Sequence, residues 1–405
     1  MVPERVLEVL LVVLVGICSG DRRQLDLAFS WEGIKFDFGS PEREMEWSSS
    51  GDYIEGQAIP FSIEIWEDRM FVVTPRIMEG VPATLSYFNI TSATALSLIS
   101  PLLIPYPNLR MHNLTSGVMT SVVSVRLDRC NRLWALDAGT VKAGDAQERR
   151  GATGVHVFDV KTNRVLRSRF FELGDGFQEA QVSSIVVDVT TADCDNAFAY
   201  VSDHRNCLLF VYSWRNDFWH KISHSFFHIF RRRESIFTNI DFNSRVSSVL
   251  QVEKDEFRRL FFSPFASRVQ FIVSTRVLRN KTIDVEREAI YEFKMMGNRS
   301  PSSQTTAAAY DEETGVLFYT LTARNALGCW SYRKKIFSGA WKFCAPLPRL
   351  KFARPYMIVR IDEEDKRKME RSCWLKRVGV LNEEGKLDRV KHKKTKPYQI
   401  LPNVI

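Results

Sequence analysis

No stretch of this chain is long and apolar enough to cross a bilayer: a helix needs about 20 apolar residues, and the longest run, residues 9–17, is interrupted by Gly16. An HExxH zinc motif, a phosphate loop, a GxSxG elbow and a CxxC pair are all missing. The common hydrolase, nucleotide and redox signatures are therefore absent, and no cofactor is expected, although an isomerase is not excluded. Excess charge is also scarce over most of the length. The formal +8 sits in residues 346–405, which carry 16 Lys and Arg against 8 Asp and Glu, while residues 1–345 hold 40 of each sign. A field able to steer nucleic acid would have to come from that tail alone. Such runs, like Arg231-Arg232-Arg233, are usually solvated loops or contacts for acidic glycans, so no nucleic-acid partner is expected.

What is present is ordinary globular material: 405 residues, 45% hydrophobic and 26% charged. Twenty-eight phenylalanines favour strand-rich structure, because flat rings pack well on pleated surfaces. Residues 1–20 read as a signal peptide, with an apolar segment, then Cys18-Ser19-Gly20, then the charged Asp21-Arg22-Arg23. Export is thus expected, and four sequons agree with it, at Asn89, Asn113, Asn280 and Asn298, the last followed by Pro301. Loss of the leader leaves six cysteines, an even set that in an oxidising compartment points to disulfides.

One pattern recurs: a polar turn, an apolar and aromatic run, then Asp, Ser or Thr. It is clearest in Glu67-Asp-Arg-Met-Phe-Val-Val-Thr-Pro75, Arg129-Cys-Asn-Arg-Leu-Trp-Ala-Leu-Asp137 and Asp195-Asn-Ala-Phe-Ala-Tyr-Val-Ser-Asp203. With weaker copies at residues 257–264 and 314–322, the anchors Phe71, Trp134, Tyr200, Phe262 and Phe318 are separated by 63, 66, 62 and 56 residues. Each of the first three anchors follows another strand-like run, at residues 59–65, 121–127 and 183–189, and repeats two and three continue into alternating pairs at 154–171 and 207–224. One repeat therefore predicts a four-stranded antiparallel sheet. Such sheets bury both faces when stacked radially, which makes the fold class all-β, a propeller.

The same segments carry a family resemblance. Residues 130–139 (CNRLWALDAG), 193–203 (DCDNAFAYVSD) and 273–280 (VSTRVLRN) resemble hallmarks of the insect yellow and major royal jelly protein family, as do 80–84 (GVPAT), 103–107 (LIPYP) and 324–330 (RNALGCW). The resemblance runs in order from about residue 38 to residue 330. It implies a secreted, glycosylated six-bladed β-propeller of four-stranded antiparallel blades, with roles in cuticle and egg pigmentation, melanin chemistry, nutrition or amine scavenging. It implies further that a small aromatic amine or catechol derivative binds in the central channel, or that dopachrome is converted by a tautomerase-type activity. The chain departs from the family at residues 243–257 and after about residue 345, where Lys366-Arg-Lys and Lys391-His-Lys-Lys replace the last-blade motif. The expected organisation is a leader at 1–20, a propeller at 21–345 whose last blade is incomplete or divergent, and a basic tail at 346–405.

In such a blade the first strand lines the channel, and the loops after the second strand share a rim with those leading into the first. That rim would present Thr74, Arg76, Asp137, Asp203, Ser263, Thr322 and Asn325, with Asp137 and Asp203 as anchors for an ammonium group and Asn325 as a hydrogen-bonding side chain. The same residue types also cap turns at strand ends. Cys130 and Cys194 occupy the same turn in successive repeats, which predicts an inter-blade disulfide stabilising by about 4 kcal/mol. Cys329 and Cys344 are placed to pair within one blade, whereas Cys207 and Cys373 have no evident partner. His220, His224 and His228 recur every four residues, but on a strand they stand about 13 Å apart, too far for one ion, so no metal is expected.

Overall fold

The computed structural model describes residues 26–360 except 96–99, 145, 173, 175, 191, 228–244, 252–256, 265–266, 300–304, 306–307, 312–314, 322–325, 332–341 and 347–355. Strand β1 (Asp26–Trp31) precedes a ten-residue helix, α1 (Pro41–Ser50). Ser40 caps α1 by accepting the Arg43 N–H, Pro41 opens its first turn, and Gly51 ends it in the left-handed region.

Five four-stranded antiparallel sheets follow. Blade 1 is β2 (Ser62–Trp66), β3 (Arg69–Val73), β4 (Leu85–Asn89) and β5 (Ile104–Pro105). Blade 2 is β6 (Val122–Leu127), β7 (Arg132–Asp137), β10 and β11, with a hairpin of β8 (Thr140–Ala143) and β9 (Ala146–Arg149) inserted before β10 (Gly154–Asp159) and β11 (Arg164–Phe170). Blade 3 is β12 (Val182–Thr190), β13 (Asp193–Asp203), β14 (Leu208–Ser213) and β15 (Phe218–Ser223). Blade 4 is β16 (Arg245–Gln251), β17 (Arg258–Ser263), β18 (Val269–Ser274) and β19 (Lys294–Asn298). Blade 5 is β20 (Ala308–Asp311), β21 (Val316–Leu321), β22 (Ala326–Ser331) and β23 (Lys342–Pro346).

All five aromatic anchors fall on second strands and are at most 1% exposed. The first strands contact one another in succession, β2 with β6, β6 with β12, β12 with β16 and β16 with β20, which makes the arrangement radial. Because side chains alternate between faces, each sheet feeds two seams. Phe71 and Val73 join Val125 and Leu133 between blades 1 and 2; Trp134 and Leu136 join Ala199 and Tyr212 between blades 2 and 3. Tyr200 joins Phe262 and Phe271 at the next seam, and Phe261 joins Leu317 and Trp330 at the one after. Each fully buried aromatic of this kind contributes on the order of 2 kcal/mol.

The blade count corrects the sequence expectation. The described residues form five four-stranded sheets, not six. After β23 the described chain supplies one further strand, β24 (Tyr356–Arg360), and it pairs with β1 at the opposite end of the sequence, Trp31 opposite Tyr356. Phe29 and Trp31 then pack against Phe88 on the face of blade 1 turned away from blade 2. The physical reason lies in composition: residues 346–405 are dense in charge and repeat no anchor motif, so the apolar pattern that marks the other blades does not recur in that part of the sequence. One strand of this structure thus comes from the stretch read as a tail.

Candidate functional site

The rim residues read from the sequence share one end of the sheets, since Asp137 closes β7 and Asp203 closes β13. Their partners explain why the repeat motif ends in Asp, Ser or Thr. The Asp137 carboxylate accepts the Thr120 N–H (2.6 Å) on one oxygen and the Ser121 (2.8 Å) and Gly139 (2.8 Å) N–H groups on the other. The Asp203 carboxylate accepts the N–H groups of Gln181 (3.0 Å) and Arg205 (3.0 Å) and the Asn206 side-chain amide (2.7 Å). In blades 2 and 3 the acid at the end of the second strand thus ties down the loop leading into the first. Thr74 donates to the Ala83 carbonyl (2.7 Å), and the Ser263 hydroxyl donates to Val269 O (3.0 Å).

Arg76 is brought to Asp137 through the peptide they share. Its guanidinium donates to the carbonyls of Val81, Pro82, His112 and Thr120, and its own N–H donates to Ser121 Oγ. Burial lowers its pKa to about 10. Beneath it, His112 accepts the Thr84 N–H on Nδ1 and faces the Tyr106 carbonyl with Nε2, which fixes the Nε2–H tautomer. Burial, and then the Arg76 charge, push the His112 pKa down to about 3, so the ring is neutral. Asp137 and Asp203 are 1% and 0% exposed. A ligand reaching either acid would first have to displace backbone donors, so these side chains sit as turn caps. Thr322 and Asn325 lie outside the described residues.

The inserted hairpin lies across this end. Lys142 N donates to Arg76 O and Gly144 N to Glu79 Oε1, on blade 1, while Arg149 pairs with Glu179 (2.9 Å), just before blade 3. Gly139 permits the crossing: its φ is +68°, and a Cβ there would meet Gly151 O at 2.3 Å. The sequence did carry a signal for this hairpin, Gly144-Asp145 between two polar alternating runs.

Sequence reasoning missed a carboxylate on the first strands. Glu64, on β2, is 3% exposed, and its Oε2 lies 3.8 Å from Arg126 Nη1 on β6 without a hydrogen bond. Arg126 Nε in turn donates to Ile185 O on β12, so the pair links three successive inner strands. Burial outweighs the Arg126 charge and raises the Glu64 pKa to about 7. The signal was the alignment of Ser62-Ile63-Glu64 with Ser124-Val125-Arg126 in consecutive repeats. The serines of that pattern accept the next blade's N–H, Ser62 from Val125 and Ser124 from Ile185, satisfying inner edges that would otherwise be bare.

The predicted disulfide joins Cys130 to Cys194, with Cα atoms 5.9 Å apart and a sequence separation of 64. Asp128 organises that seam: it accepts Arg132 Nε (2.6 Å) and Trp134 Nε1 (2.9 Å), while Arg132 donates to Cys194 O (2.8 Å). Cys329 is also disulfide-bonded, and β22 places it opposite Lys342, two residues from Cys344, whose side chain lies outside the described residues. Cys207 is buried, and Cys373 lies outside the described residues. His220 is on a strand, as expected, and its Nε2 faces Leu278 O; His224 stacks on Phe293, and His228 is outside the described residues. No group of three potential metal-binding side chains occurs among the described residues, and no described helix is long and apolar enough to cross a membrane. Asn113 and Asn280 occupy exposed turns in which their side-chain oxygens accept from Thr115 and Thr282. Asn89 ends β4, and Asn298 ends β19.

Comparison with known proteins decides the family. The profile described as Major royal jelly protein matches residues 120–340, more than half of the chain. The chain belongs to the major royal jelly protein family. Protein yellow of Drosophila guanche is 33% identical over 335 residues, covering 80% of this chain and 58% of that protein. Protein yellow of Drosophila melanogaster is 33% identical over 317 residues, covering 76% and 57%. This family member therefore spans less than two thirds of the relatives it matches. Among solved structures, a chain of the mitotic checkpoint complex aligns with a TM-score of 0.42 at 12% identity, over 85% of this chain and 89% of that one, a likeness too low to bear on function.

Proposed function

We propose that this is a secreted, yellow-like protein of insect pigmentation or cuticle melanisation that binds catechol-derived amines or their oxidised products in the propeller channel. The observation that carries the reading is the 33% identity to Protein yellow, which extends through the blade motifs rather than stopping at one segment. Export is supported by the apolar leader and by the Cys130–Cys194 disulfide, a bond that persists in oxidising compartments. Glu64 supplies a buried carboxyl beside the first strands, where a cationic amine would find a counter-charge. Because Glu64 sits near neutrality, the same residue suits proton transfer, and this keeps a dopachrome-converting isomerase as the second reading. Calorimetry with dopamine and serotonin beside a dopachrome-decay assay separates the two. Binding without turnover supports the binder, turnover lost in Glu64→Gln supports the isomerase, and silence in both assays leaves a nutritive or structural protein.

A further inference from the structure

Four of the five sheets end on an outer strand that charge or proline guards. Strand β5 is two residues long and ends in Pro105, β11 carries Arg164, Arg167 and Arg169, β15 carries His220 and Lys221, and β23 runs from Lys342 to Pro346. Strand β19, Lys294-Met-Met-Gly-Asn298, has a single charge, and its far edge is unpaired among the described residues. Edges without such guards invite association. The approach to β19 adds apolar surface. In the short helical turns at 285–292 and just beyond, Val285, Ala289 and Phe293 recur every four residues and are buried with Phe227 and Phe262. Phe293 also stacks on His224, ring centroids 4.0 Å apart. That spacing fixes the segment to blade 4 and turns its neighbours outward: Ile290, Tyr291 and Met295 are 39%, 90% and 59% exposed. One such residue would be ordinary, but three within six positions make a patch.

The charges around the patch select its occupant. Arg287, Glu288 and Lys294 are exposed and Glu292 is half-buried, two of each sign, so no net field favours a strongly acidic or basic partner. Their order is self-complementary. When residues 291–295 run antiparallel to the same residues of a second copy, a two-fold axis at Phe293 exchanges position 291 with 295 and 292 with 294. Each Tyr291 ring then meets the partner's Met295 thioether, and each Glu292 carboxylate meets the partner's Lys294 ammonium. Phe293 is extended (φ −81°, ψ 116°), so the chain runs straight past the axis. Glu292 contacts Arg276 of its own chain at 3.7 Å on exposed surface, a loose pairing that leaves its carboxylate open to a second cation. We propose that the outer edge of blade 4 is a self-association surface through which two copies of this chain form a two-fold symmetric dimer. Neither the channel nor any residue of the pigment reading takes part.

The test is sedimentation equilibrium on the full chain, produced without N-linked sugar because the sequon residue Asn298 ends β19. A monomer–dimer equilibrium in the micromolar range is expected, and circular dichroism checks that each variant keeps the parent fold. Tyr291→Asp should weaken dimerisation about tenfold or more, as loss of a central aromatic anchor does. Glu292→Lys sets like charge against the partner's Lys294, and Lys294→Glu does so against the partner's Glu292, so each alone should weaken it about fivefold. Both together restore opposite charges and should return the dissociation constant to within about twofold of the parent. Damage to the fold in either single variant would not give that recovery. A chain that stays monomeric up to about 100 μM would leave the patch to a partner of another sequence and overturn the proposal. A dimer indifferent to Tyr291→Asp, or a double variant no tighter than the single ones, would overturn it equally.

Discussion

The protein holds carboxylates in two settings, at the strand ends and around a cleft beside helix α1, and the contrast shows how little the residue type alone says. Asp137 and Asp203 are buried and saturated by N–H donors from the loops they tie down. Glu46, on helix α1, and Asp52, two residues past its end, are exposed. The first pair serves the backbone, and its charge is used up in holding loops. The second pair borders the cleft, which Arg76 and Lys142 also line, so its charge is met across open space rather than by hydrogen bonds. Acids that the repeat motif offers as ammonium anchors hold loops here, whereas Glu46 and Asp52, on and just after a polar helix, border open volume.

That contrast can be broken most decisively at Asp137. Replacing it with Ala strands the N–H groups of Thr120, Ser121 and Gly139, each at about 1–3 kcal/mol, so urea denaturation should show a loss of several kcal/mol. Next is the seam disulfide. Cys130→Ala with Cys194→Ala should cost about 4 kcal/mol through the freed loop, and mass mapping of a non-reduced digest that found Cys130 unlinked would refute the pairing. Glu64 gives a smaller effect that depends on pH. Its folded pKa is raised to about 7, so between an unfolded value of about 4.5 and that point the folded chain retains a proton that the unfolded chain has lost. Stability contributed by protonated Glu64 is therefore present in acid and declines as pH rises through about 7, by on the order of a few kcal/mol. Glu64→Gln should flatten that decline in melts taken from pH 5 to 8.

His112 works in the opposite sense. Its folded pKa is depressed to about 3, so its contribution is present above pH 6.5 or so and is lost as pH falls toward 3. Asp203→Asn should cost only about 1–2 kcal/mol, since Asn keeps one acceptor for the N–H groups and loses the contact from the Asn206 amide. Smallest of all, Glu46→Gln with Asp52→Asn should leave stability within about 0.5 kcal/mol, as exposed substitutions usually do. A destabilisation there as large as at Asp137 would erase the distinction between the two settings.

Much of the architecture was written in local pattern. Five anchors at even spacing landed on five second strands, and the alternating runs at 154–171 and 207–224 became β10 with β11 and β14 with β15. Equivalent turns at Cys130 and Cys194 came together as a disulfide for the same reason. Among the described residues a sixth four-stranded blade did not follow, because its motif does not recur in the charged sequence after 346, where β24 instead joins β1. Pairing between the two ends leaves no periodic trace.

The candidate site was less legible. Strand-end acids could be located but their partners could not, since whether a carboxylate caps a loop or meets solvent depends on loops folded beside it, such as residues 120–121 against Asp137. The inner pair Glu64 and Arg126 has a 62-residue separation, and only radial stacking brings the charges within 3.8 Å. Sequence by itself determined the repeat, the strands, the seams and the bridge, because alternation and spacing act over a few residues at a time. Tertiary structure alone decided the number of blades, which acids are spent, and where open volume remains, because burial and cavities are made by segments that are distant along the chain.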